Sequence, residues 1–120
     1  MVLVDTSVWI AHFRKNNVGL AGLLDRGQVA THPFVIGELA CGNLRNRAQI
    51  LRLMNALYVS EVASHDEVLG FIEGHRLMGT GLGYVDVHLL ASARITPIRL
   101  WTVDRRLRQA ASQLGIACEM

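Results

Sequence analysis

Val2-Leu3-Val4-Asp5-Thr6-Ser7-Val8-Trp9 sets three aliphatic residues ahead of an acid and two hydroxyls, after which the chain turns apolar again. The aliphatic triplet reads as a short buried strand. Val8, Trp9, Ala11 and Phe13 then continue without strict alternation, as the inner face of a helix does. A strand that feeds directly into a helix is the repeating unit of an α/β fold, and its junction residue lies at the carboxyl edge of the sheet.

The unit recurs along the chain. Asn16 and Asn17 close the first helix, and Val18–Asp25 suggests a second before the turn at Arg26-Gly27. Residues 28–31 read as a strand, and His32-Pro33 starts a helix because proline suits the first helical turn; that helix ends at Gly42. A polar gap over 43–49 leads to Ile50, Leu51, Leu53, Met54 and Leu57 at helical spacing. Residues 58–62 form a third candidate strand, and Ser64-His65-Asp66-Glu67 matches a capping box opening a helix to about Met78. The flexible stretch 79–83 precedes Tyr84–Ile95, apolar on nearly every side and so expected to be buried. Residues 99–103 read as a strand, 104–114 as a helix and 116–118 as a short last strand. Alternating strands and helices predict a parallel sheet covered on both faces, with ligands at the carboxyl ends of the strands.

Length and composition fit this. The 120 residues, 51% hydrophobic, suffice for one domain spanning 1–120. No stretch approaches the roughly 18 apolar residues of a membrane span, and the first residues lack the basic start and long apolar run of a secretory signal. A cytoplasmic protein without membrane association is therefore expected. Cys41 and Cys118 belong to no C-x-x-C pair and are read as small core residues. The net charge is only +2, yet Lys15 is the sole lysine among 12 basic residues, and the rest are arginines suited to forked contacts with phosphate or carboxylate.

Four carboxylates stand out from this apolar background: Asp5, Glu38, Asp86 and Asp104. Asp5 and Asp104 follow strands and are either helix caps or sheet-edge ligands. Glu38 has Phe34, Val35, Cys41 and Gly42 three and four positions away, and Asp86 has Leu82, Gly83, Leu89 and Leu90, so both read as mid-helix acids on apolar stripes that should be core. Converging carboxylates repel unless protons or cations neutralise them, and an all-oxygen site suits Mg²⁺ or Mn²⁺.

Asp5-Thr6-Ser7-Val8-Trp9, Val35-Ile36-Gly37-Glu38-Leu39, Asp86 with Leu89-Leu90-Ala91-Ser92-Ala93, and Thr102-Val103-Asp104 together resemble the signature of PIN domains, and the resemblance spans essentially the whole chain. In size it is most similar to the VapC-type toxins of bacterial toxin–antitoxin pairs. The resemblance implies a three-layer α/β/α sandwich with a parallel, roughly five-stranded sheet. It also implies Mg²⁺-dependent (or Mn²⁺-dependent) endoribonuclease activity leaving a 5′-phosphate and a 3′-hydroxyl. Asp5, Asp86 and Asp104 are then metal ligands, and Glu38 is either a ligand or a holder of water. Thr6, Ser7 and Thr102 either hydrogen-bond around these acids or simply cap helices. Arg105, Arg106 and Arg108, in the first turns after Asp104, are candidate RNA contacts, with Arg14, Lys15, Arg45 and Arg47 as flanking ones. Cations at a helix start oppose the macrodipole, which favours a functional reason for them. The implied partners are RNA, a cognate antitoxin protein and a second copy of the chain, with contact surfaces sought among Leu20, Leu23, Leu24, Leu51 and Met54 or those residues in the core.

Other chemistries find less support. The five histidines are scattered without a zinc pattern, and His88 is read as structural. The 79–83 stretch lacks the spacing of a phosphate-binding loop, and Trp9 and Trp101 read as core rather than stacking platforms. A phospho-accepting receiver domain would need a late lysine near its acidic pocket. A non-catalytic RNA- or protein-binding module of the same fold is the remaining alternative, and retention of all four acids argues against it.

Overall fold

The computed structural model describes residues 1–119. Four parallel strands form its sheet: β1 (Val2–Val4), β2 (Val29–Thr31), β3 (Tyr58–Val59) and β4 (Arg99–Trp101), in the order β3-β2-β1-β4. Val2 pairs with Val29 on one side and with Arg99 on the other, so β1 is central. The expected last strand shrinks to a single parallel bridge between Leu100 and Ala117, closed by the Leu100 N–H to the Ile116 carbonyl (2.8 Å) and the Cys118 N–H to the Leu100 carbonyl (2.9 Å). Every residue of β1 and β2 is buried, which in a parallel sheet means that both faces are covered by helices.

Those helices are α1 (Thr6–Arg14), α2 (Val18–Asp25), α3 (Pro33–Cys41), α4 (Arg47–Ala56), α5 (His65–His75), α6 (Tyr84–Ile95) and α7 (Arg105–Gln113). The apolar helix expected at Tyr84–Ile95 is present with those bounds, and its residues 87–93 are all buried. It packs on β4 and against α5. Ser64 and Glu67 complete the capping box read from the sequence.

Several boundaries differ from expectation, among them β4, which ends at Trp101 rather than at 103. α4 begins at Arg47, inside the polar gap, because an exposed first turn needs no apolar residue. α5 stops at His75, where Arg76 enters the left-handed region (φ 53), short of Met78. The third strand is two residues long and exposed. Leu20, Leu23 and Met54 are core, with Leu24 packed against it, so these residues of the proposed contact surface are internal. Trp9 and Trp101 are buried as expected, whereas Cys41 is exposed. Among the described residues no helix is long and apolar enough to cross a membrane.

Candidate active site

β1 and β4 are neighbours and end side by side, so the segments leaving them meet at the carboxyl edge of the sheet. Asp5 is the N-cap of α1 and only 7% exposed. Its Oδ1 accepts the Thr6 N–H (2.8 Å), while Oδ2 accepts both the Ser7 and the Thr102 hydroxyls, each at 2.7 Å. With both hydroxyl protons spent on Asp5, the 3.3 Å approach of Ser7 Oγ to Thr102 Oγ1 is a contact without a proton between them. The hydroxyl oxygens are used in turn: Thr102 Oγ1 accepts the Asp104 N–H (3.0 Å), and Ser7 Oγ accepts the Val103 N–H (3.3 Å). Asp104 caps α7 through Oδ1 and the Leu107 N–H (3.0 Å). One carboxylate and two hydroxyls thus tie the exit of β4 to the exit of β1.

Asp86 is not mid-helix. It occupies the third position of α6, and its Oδ2 accepts the Gly83 N–H (3.0 Å), the reach-back half of a capping box whose other half glycine cannot supply. Three of the four acids therefore sit at helix N-termini, where the macrodipole favours negative charge. Burial nevertheless pushes the Asp86 carboxyl above its usual range; the Gly83 N–H works the other way, and the charges of Asp5 and Asp104 push it up further. That mutual repulsion shows the three carboxylates sharing one electrostatic environment.

Glu38 departs from the expected core stripe. It is exposed, as is Cys41, and with Pro33, Phe34, Gly37 and Val85 they line an open groove of about 620 Å³. Of the neighbours read as core, Phe34 and Cys41 are walls of this groove, whereas Val35 is buried in the core as expected. Glu38 joins the Asp5 side through Oε1, which accepts the Thr6 hydroxyl at 2.7 Å. Thr6 and Ser7 thus stand on adjacent positions of one helix and hold two different acids.

The donor set suits a hard divalent cation: carboxylates and hydroxyls, with no thiolate or imidazole among them. As placed, among the described residues, no three His, Cys, Asp or Glu side chains lie close enough to grip one ion; each acid is turned to a local N–H or hydroxyl instead. Arg105, Arg106 and Arg108 are all exposed on the first turns of α7.

One structural role was not read from the sequence. His32, at the end of β2, is itself the N-cap of α3: its Nδ1 accepts the Phe34 N–H (3.0 Å). The proton must then be on Nε2, which donates to Ser92 Oγ (3.1 Å). The ring is fully buried against Phe34 and His88, and burial, with the nearby His88, lowers its pKa to about 4. The available signal was a polar residue immediately before a proline at a strand exit, which is where an N-cap stands.

Comparison with known proteins places the chain in a family. The chain is 47% identical over 118 residues to "Ribonuclease VapC32" from two strains of Mycobacterium tuberculosis, covering 98% of this chain and 95% of those proteins. Among solved structures, PAE2754 from Pyrobaculum aerophilum superposes with a TM-score of 0.60, covering 95% of this chain and 88% of that one; at 19% identity this likeness concerns the fold. The model of the PIN domain matches residues 2–113, and with the acids of that span gathered at one sheet edge, the chain belongs to the PIN domain family.

Proposed function

We propose that this chain is a single-domain, Mg²⁺- or Mn²⁺-dependent endoribonuclease that acts as the toxin of a toxin–antitoxin pair. The observation that carries the reading is geometric: Asp5 and Asp104 leave the adjacent strands β1 and β4, tied together through Thr102, and the Asp86 carboxyl, raised first by burial and then by both of them, has no arginine or lysine ion pair among the described residues. Acids whose charges raise a neighbour's carboxyl are relieved by a bound cation. The near full-length likeness to a named ribonuclease supplies the substrate class.

Asp5, Asp86 and Asp104 are the residues proposed to hold the cation, with Glu38 binding it or a water beside it. A bound divalent cation supplies activation of water and neutralisation of charge on the phosphodiester. The chain's own contribution is orientation. Ser7 and Thr102 fix the Asp5 carboxylate, Thr6 holds Glu38, and the Gly83 N–H holds Asp86 until it turns. Arg105, Arg106 and Arg108 are proposed to meet backbone phosphates.

An antitoxin and a second copy of the chain are the proposed protein partners. A cleft of about 560 Å³ with an apolar floor of Ile10, Phe13, Leu44 and Ile50 and with Arg14 and Arg45 among its lining residues offers a surface that the internal leucines of α2 cannot. The test is cleavage of single-stranded RNA by the purified chain. Activity with Mg²⁺ or Mn²⁺ that disappears on chelation and in D5N is expected; cleavage indifferent to both would overturn the reading.

A further inference from the structure

Arg106 is set apart from the other arginines of α7 by what its side chain rests on. Gly81, in the connection before α6, has φ +85, and a Cβ built there would run into the Arg106 guanidinium, with Cζ at 2.9 Å and Cδ at 3.0 Å. The left-handed backbone is what favours glycine at 81, and any side chain there would displace the arginine that lies across it. Arg106 donates no hydrogen bond and forms no ion pair among the described residues, so its N–H donors are uncommitted.

The contact also has a place in the site. Arg106 is two residues after Asp104, and Gly81 is two residues before Gly83, whose N–H holds Asp86. The guanidinium therefore bridges the first turn of α7 and the connection leading to Asp86, the two segments that bring these acids to the sheet edge. A cation in the first turn of a helix is opposed by the macrodipole, a cost that an incoming anion reverses. Seating the long side chain on the backbone also removes rotamer freedom that binding would otherwise have to freeze.

We propose that Arg106, seated on Gly81, is the principal phosphate grip for the RNA strand passing Asp86 and Asp104, and that Gly81 is its positioning residue. The assignment rests on the ribonuclease reading and narrows it to one of three arginines. Because the guanidinium is held by backbone packing rather than by the acids, the carboxylates stay free for a cation and the fork stays free for a phosphate.

The test is the affinity of the purified chain for single-stranded RNA, with Ca²⁺ replacing Mg²⁺, measured as salt is raised from about 50 to about 200 mM. R106A should bind about tenfold more weakly and flatten the salt slope by roughly 0.7, one phosphate of a single strand. R106K should recover the slope but not the full affinity, whereas R105A and R108A should each lose no more than about threefold. In cleavage assays the loss in R106A should fall mainly on KM. G81A should mimic R106A, and the double variant should be no weaker than either single one.

Unchanged affinity and slope in R106A, additive losses in the double variant, or a fall in kcat alone would each overturn the assignment. Should G81A fail to fold by circular dichroism, the R106A and R106K pair decides by itself. A wild-type chain that neither binds nor cuts RNA would overturn the ribonuclease reading and this assignment together, whereas wild type and R106A binding alike would overturn only the latter.

Discussion

Two strand exits on adjacent strands take opposite courses in this molecule. β1 leaves the sheet at Asp5 and β2 leaves it at His32; both residues cap the helix that follows, and both are buried. At Asp5 the cap is charged, braced by two hydroxyls and close enough to raise the carboxyl of Asp86. At His32 the cap is neutral, with one ring nitrogen accepting and the other donating, and nothing about it is left to satisfy. The same topological position is proposed to serve ligand binding in one case and serves folding in the other. What decides between them is whether the cap's charge finds compensation inside the chain.

The contrast can be broken from either side. D5N keeps the size of the side chain and should stay folded while RNA cleavage falls by about a thousandfold, the scale expected when a ligand for a catalytic cation is neutralised. H32A should do the reverse. Losing the cap and the Ser92 hydrogen bond and leaving a cavity should cost about 3 kcal/mol, seen as a fall of roughly 10 °C or more in Tm, with the folded fraction still active at low temperature. If D5N unfolds the protein while H32A abolishes catalysis in a folded one, the division of labour is wrong.

Acid titration sharpens the same comparison. The folded pKa of His32 is about 4, below the 6.5 of a free histidine, so the unfolded chain takes up its proton first. Stability should therefore be flat above about pH 6.5 and decline as pH falls toward 4. His88, also lowered by burial, acts in the same direction. H32N can still cap through its carbonyl but cannot titrate, and denaturation midpoints across this window should show a shallower slope.

The smallest effect is expected on the acidic side. In chelator, D86N removes a charge that Asp5 and Asp104 oppose while keeping an acceptor for the Gly83 N–H, so Tm should rise by about 2 °C, modest because Asp86 is partly solvated. A fall in Tm would mean that the carboxylates do not burden the fold.

Much of the architecture was legible because it lies in local pattern. The capping box at Ser64, the end of α3 at Gly42 and the continuous apolar run of α6 are short-range signals, and the structure follows them. What was not legible depends on what packs where. Glu38 and Cys41 sit among apolar neighbours in sequence, and only the packing of α3 shows that Val35 and Leu39 turn into the core while Phe34 and Gly37 join the two in walling an open groove. Asp86 read as mid-helix because Leu82 and Gly83 fit the helical spacing, although the helix start read at Tyr84 already put it in the first turn. His32 was hidden by its proline, which explained the helix start well enough that the ring beside it went without a role. The last strand pairs where 116–118 was read but only as a single bridge, because how far Ala117 and its neighbours extend along Leu100 is a matter of sheet register that the segment alone does not encode.

The central claim is that the acids at the exits of β1 and β4, with Asp86, form a divalent-cation site while the histidine exit of β2 does not. Calorimetric titration of Mn²⁺ into the purified chain tests it most directly. The account predicts saturable binding by the wild type, weakened at least about tenfold in D5N and unchanged in H32N. Equal Mn²⁺ binding by the wild type and D5N would contradict it.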